Sequence, residues 1–232
     1  MAAEGAGMKA FYMVIGVVAV AGAAALWWMM KRPTSVEIPI DVMVQASDTA
    51  GFSGYYIGSG DALVEVSEYG DYQCPFCQSF AVVQFPTIKS RLVDAGLVRW
   101  RFRDFPLDQS HPHARMAAHA AACADDQGRY WEAHEAIYLG QPDWSPARRS
   151  AGIFRGYMER LGLDLAEYDA CMGDARYAGR IEAARQEGIR LGINSTPSFV
   201  MNGRRYDDPR GMTYDFLRAL TDSLQQVAAA GE

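Results

Sequence analysis

ALVEVSEYGDYQCPFCQSFAVVQFPTIKSRLVDAG, residues 62–96, runs directly into LVRWRFRDF, residues 97–105. Residues 62–69 alternate and are rich in valine, which reads as a strand. The apolar spacing after Cys77 is helical as far as Gly96, and residues 97–105 alternate again. Two strands joined by a helical crossover of this length form a parallel pair with a right-handed connection. Cys74-Pro75-Phe76-Cys77 stands where the first strand hands over to the helix. Pro75 suits the first helical turn. Unpaired N–H groups and the helix dipole at that end favour an anion, so the Cys74 thiol is expected to ionise readily and to be the attacking sulfur. Cys77, one turn further in, is placed to resolve a mixed disulfide.

The remaining chain extends this pattern. A short strand is expected near residues 55–57, and the signal from His111 to about Met172 is all helical. Residues 176–192 form another amphipathic helix, leading into NSTPSFVMNGRRY. Asn202-Gly203 between two strand-like runs is a two-residue hairpin signal. Residues 213–228 close the chain as a helix. The order βαβ, helical block, αββα gives an α/β protein with helices over a mixed sheet.

Half of the residues are apolar, so a sizeable core can be buried. There are 22 basic against 28 acidic side chains, a net charge of −6, which argues against nucleic-acid binding. Residues 11–30, FYMVIGVVAVAGAAALWWMM, hold no charge and match the length of about 20 residues that spans a bilayer as a helix. Trp27 and Trp28 suit an interfacial belt. A cleavable signal peptide is the competing reading, with Ala23, Ala24 and Ala25 offering a cleavage site. The apolar run continues past that site and favours an uncleaved anchor. The expected organisation is a cytoplasmic N-terminus at 1–10, a transmembrane signal-anchor at 11–30, a linker at 31–51 and one domain at 52–230. Lys31 and Arg32 outweigh Lys9 and would place the domain in the cytoplasm. The cysteine usage argues for the opposite side and takes precedence.

A bare CxxC also serves haem attachment and zinc. Haem attachment needs a histidine after the second cysteine, and here that residue is Gln78. Structural zinc needs a second ligand pair of matching spacing. His119 and Cys123 fall four apart on one helix face, a spacing that admits a metal pair, but a core histidine beside a buried thiol is the commoner arrangement. No metal is expected.

EYGDYQCPFC at 68–77, FRDFPL at 102–107 followed by HPHARMAAHAAACADDQGRYWEAHEAIY, and GINSTPSFVMNG at 192–203 together resemble the DsbA group of thioredoxin-fold oxidoreductases. The resemblance covers roughly residues 62–228. It implies a thioredoxin fold with a helical insertion at about 108–174, a redox-active Cys74–Cys77 pair, no cofactor, and a cis-proline at Pro197 facing the pair. Thr196, Pro75 and Phe76 are expected on the substrate side, with the Thr196 backbone pairing an extended segment. At Glu68 the residues alone leave a solvated strand-end carboxylate or a buried proton relay; the resemblance implies the buried acid. Some relatives carry a second disulfide across the helical block, implying a Cys123–Cys171 bridge. Closing that loop, 48 residues in separation, is worth about 3 to 4 kcal/mol. The chain departs from many members in holding Phe76 where they have histidine, which removes a cation beside Cys74. The implied function is extracytoplasmic insertion of disulfides into unfolded exported proteins, with reoxidation by a membrane partner of the DsbB or vitamin K epoxide reductase type. A disulfide isomerase or reductase of the same fold, or a non-redox peptide-binding module, are the alternatives.

Overall fold

The structure is a computed structural model that describes residues 4–30, 36–206 and 208–230, with backbone alone at 4–10, 25–26, 28–30 and 228. The chain divides into two units, residues 1–35 and 36–232. In the first, α1 (Glu4–Met30) is one uninterrupted helix, and its described side chains at 11–24 are all exposed. Among the described residues no helix is long and apolar enough to cross a membrane. Lys31 and Arg32, which bear on the charge reading, lie outside the described residues.

The second unit is built on a five-stranded sheet of order β1-β3-β2-β4-β5. Its strands are β1 (Tyr55–Ile57), β2 (Val64–Gly70), β3 (Val98–Asp104), β4 (Ser198–Met201) and β5 (Arg204–Tyr206). β2 and β3 pair in parallel from Val64↔Val98 to Gly70↔Asp104, and all other pairings are antiparallel. β2 is central and covered on both faces, so it buries polar as well as apolar positions. The β4–β5 turn places Asn202 at φ 44° and Gly203 at φ 79°, the left-handed pair that a two-residue hairpin needs. Asn202 also ties the hairpin to the sheet, its Oδ1 accepting from the Glu65 N–H at 2.7 Å.

The crossover expected as one helix is segmented. α3 (Pro75–Ser79) passes through a π-helical turn at Phe80–Gln84 into α4 (Phe85–Ile88), then a second π turn at Lys89–Val93. Pro86 has no N–H to give and its ring crowds the carbonyl of Val82, so the hydrogen-bond ladder shifts register there. The segment expected as a plain linker contains the one-turn helix α2 (Ala46–Thr49), whose Asp48 carboxylate accepts from the Gln45 N–H at 2.6 Å. Four residues are too few to show a helical period.

Between β3 and α10 (Ala178–Arg190) lies the insertion: α5 (Ala114–Asp125), α6 (Tyr130–Leu139), α7 (Gln141–Trp144), α8 (Ala151–Arg160) and α9 (Leu165–Gly173). The alanines of α5 let Ile137, Tyr138, Trp144, Phe154 and Met158 close around it as one core. A second core sits between the sheet and α3–α4 with α11 (Tyr214–Ala230), built from Val64, Val66, Phe80, Ile88, Trp100 and Phe199. α10 covers the other sheet face, its Gly188 seated against Tyr69 and Phe105. A disulfide between Cys123 and Cys171 links α5 to α9.

Candidate active site

β2 delivers the chain to its C-terminal end at Gly70, and residues 71–74 turn it into α3. Cys74 is the N-cap, in extended conformation, with Pro75 at the first helical position. The turn closes on a bond from the Cys74 N–H to the Asp71 carbonyl at 3.1 Å. The buried Asp71 carboxylate then accepts from the N–H groups of Gln73 and Leu107, both at 2.7 Å, and meets His111 Nδ1 at 2.8 Å. The insertion grips the turn from the other side. Gln141 Nε2 donates to the carbonyls of Tyr72 at 2.6 Å and Cys74 at 3.1 Å, while Gln73 bonds Ser145 and the His113 N–H.

The two sulfurs, unbridged here, sit in unequal surroundings. Cys74 is 4% exposed, and its thiol lies 3.4 Å from the carbonyl of Thr196, the residue joined by a cis peptide bond to the buried Pro197. Hydrogen bonding from the Cys77 thiol lowers the Cys74 pKa to about 6 against the opposing effect of burial, with further help from Thr196 and the N–H groups of Cys77 and Phe76. The Thr196 hydroxyl is buried with no other partner, so it is free to serve the thiolate. Cys77 is fully buried, and burial pushes its thiol well above the ordinary value, reinforced by Cys74 and, once it ionises, by Glu68. Its sulfur accepts from the Asp71 N–H at 3.4 Å. Beside this closed pair, Pro75 is exposed and Phe76 is 75% exposed, an apolar knob next to the reactive sulfur.

Glu68 is 2% exposed, so its carboxyl is the buried acid and not a solvated strand end. Trp100 Nε1 donates to one oxygen at 3.2 Å and the other oxygen has no partner. Burial raises its pKa to about 8. It is therefore protonated at neutral pH.

Three residues of the site escaped the sequence reading. Asp71 organises the turn, and an aspartate three positions before Cys74 is a local turn signal. His111 and Gln141 arrive from distant segments and carry no local signal. His111 has its pKa raised chiefly by its bond to Asp71, and also by the charges of Asp71 and Cys74. His119, Cys123 and Cys171 offer ligand atoms within 4.8 Å of one another. With both sulfurs bonded to each other, the donor set reduces to one imidazole, and its Nε2 accepts from the Tyr177 N–H at 3.0 Å.

A sequence model described as Thioredoxin matches residues 52–222. Among curated relatives, Na(+)/H(+) antiporter NhaA 3 of Salinispora tropica is 33% identical over 207 residues, covering 83% of this chain and 30% of the relative. The chain thus spans less than a third of that antiporter's length. A probable disulfide bond formation protein D of Bacillus anthracis is 26% identical over 151 residues, covering 63% of this chain and 69% of the relative. The crystal structure of alpha-DsbA1 from Wolbachia pipientis superposes with a TM-score of 0.65 at 21% identity, covering 85% of this chain and 99% of that one. The chain belongs to the thioredoxin family and has the DsbA-like fold of that family's thiol-disulfide oxidoreductases, a thioredoxin sheet with a helical insertion.

Proposed function

We propose that the protein is an extracytoplasmic thiol-disulfide oxidoreductase, anchored in the membrane through residues 11–30, that donates its Cys74–Cys77 disulfide to exported proteins. The observation that carries this reading is the asymmetry of the pair: one sulfur with its pKa lowered to about 6 at a helix start, the other sealed in the core with its pKa raised. A client thiolate attacks Cys74, the Cys74–Cys77 bond breaks, and Cys77 leaves with a proton from Glu68. A second client thiolate then attacks the client's own sulfur in the mixed disulfide and releases Cys74 as a thiolate. The client loses two electrons and the pair gains them. A sulfur of low pKa is the better leaving group, so the final step favours donation of the disulfide. The Thr196 backbone beside Pro197, with Pro75 and Phe76, forms the rim for an extended client segment. A membrane partner of the DsbB or vitamin K epoxide reductase type withdraws the two electrons again.

The membrane setting rests on the sequence, where residues 11–30 are uncharged and match the length of about 20 residues that spans a hydrocarbon core of about 30 Å. The reduction potential tests the direction of the chemistry. Equilibration with a glutathione redox buffer should give a value above about −200 mV, between thioredoxin near −270 mV and DsbA near −120 mV. A value near that of thioredoxin would instead make the protein a reductase.

A further inference from the structure

The sheet face opposite the Cys77 side carries a second polar site that the redox chemistry does not use. A cavity of about 440 Å³ opens where the approach segment to β1 meets β3 and α10. Arg101 and Arg103 reach it from alternate positions of β3, and Gln186, Glu187 and Arg190 from one face of α10. Glu187 takes a guanidinium on each oxygen, Arg101 on Oε1 and Arg103 on Oε2, and also accepts from Tyr69 Oη at 2.6 Å. The cavity lining thus holds one carboxylate and three arginines, with Asp104 of β3 also acting on Arg103. Arg190 is exposed and has no ion-pair partner among the described residues.

The two strand arginines are held in place. Their side chains are 14% and 5% exposed, and their Nε atoms are buried without hydrogen-bond partners. Gly54 lies across their stems at φ 139°. A Cβ there would stand 2.8 Å from Arg101 Cγ and 3.0 Å from Arg103 Cδ. Fixing guanidinium groups out of water with too little counter-charge is costly, and a bound anion relieves that cost. Guanidinium forks match tetrahedral oxyanions by paired hydrogen bonds.

We propose that this cavity binds a doubly charged oxyanion, free phosphate or the phosphate of a phosphomonoester, between Arg101, Arg103 and Arg190. An occupant there touches both α10 and Phe52, and so ties the segment at 36–53 to the domain. The site is independent of the thiol chemistry.

The test is thermal unfolding of the detergent-solubilised full chain at pH 8, titrated with inorganic phosphate at fixed ionic strength set by sodium chloride. Phosphate also stabilises proteins generally by exclusion from their surface, without saturating. Specific binding should appear as a saturable rise in Tm of a few degrees that is absent with chloride. Arg190→Gln, on an exposed side chain that the fold does not need, should weaken the apparent phosphate affinity at least tenfold while leaving the Tm in chloride unchanged. Glycerol 3-phosphate in place of phosphate separates the two sources: tighter binding assigns a phosphomonoester, equal or weaker binding assigns free phosphate. A rise that never saturates, or a saturable rise identical in Arg190→Gln, would overturn the proposal.

Discussion

Two cysteines one helical turn apart differ in pKa because Cys74 takes a hydrogen bond from the Cys77 thiol, helped by Thr196 and the N–H groups at the helix start, whereas Cys77 is sealed in the core beside it. Cys74 alkylation by iodoacetamide should follow a titration centred near pH 6, and Cys77 should stay inert across the same range. Cys77→Ser should accumulate mixed disulfides with client proteins, since the attacking sulfur survives without a resolving one; Cys74→Ser should trap few. Trapping that follows Cys77 would reverse the assigned roles. Glu68 gives a separate readout, cleanest in the disulfide form, where neither cysteine titrates. Its pKa is raised to about 8, so the folded state holds a proton that the unfolded chain gives up near pH 4.5, and this contribution to stability is lost as pH rises between those values. Below about 6.5 the buried His119 and His134, with pKa values lowered to about 4 and 3, oppose that slope. Between pH 6.5 and 8 they are neutral in both states. Glu68→Gln should therefore gain stability over the parent across that window, by up to about 1.4 kcal/mol per pH unit. Equal pH slopes in the two proteins would show Glu68 ionised in the fold. The cysteine pair is legible in sequence because strand, Cys-Pro and helix are contiguous. Asp71, His111 and Gln141 converge on it only through tertiary contacts.

At the level of elements, the insertion does more than enlarge the domain, because α7 and the loop after it supply Gln141 and Ser145 to the catalytic turn. Gln141→Ala leaves the Tyr72 carbonyl without its donor in a buried setting and the Cys74 carbonyl with the Gln78 N–H alone. The cost should be about 1 to 3 kcal/mol of stability, with slower thiol exchange, read by chemical denaturation and client reduction. Rates and stability matching the parent would mean that the turn holds itself. The Cys123–Cys171 bridge closes the insertion at α5 and α9, away from the turn. Replacing both with serine removes a loop closure worth about 3 to 4 kcal/mol and should lower Tm by on the order of 10 °C, while the Cys74 titration stays unchanged. Two free thiols in the air-oxidised protein would contradict the bridge. Element types were readable from period and turn residues, above all Asn202-Gly203. The π turns around Pro86 were not, since the register of a hydrogen-bond ladder leaves no trace in apolar spacing.

For the whole molecule, the sequence sets two signals against each other. The flanking charges, Lys31 and Arg32 against Lys9, favour a cytoplasmic domain, whereas a pair of bridged cysteines in the core and a pair with unequal thiols suit an oxidising compartment. The charge bias concerns three side chains. The proposed extracytoplasmic setting keeps the Cys123–Cys171 bridge away from the cytosolic thiol pool, which would work against it. On this reading protease added to intact cells or spheroplasts should digest residues 36–232 and leave a short membrane-bound fragment containing α1. Washing with high salt or carbonate should not release the full chain from the membrane. An engineered cysteine in the 36–53 segment should react with a membrane-impermeant maleimide before lysis, and one near Met1 only after it. Complete protection of the domain from protease, with labelling near Met1 in intact cells, would place the enzyme on the cytoplasmic side and remove exported proteins as its clients.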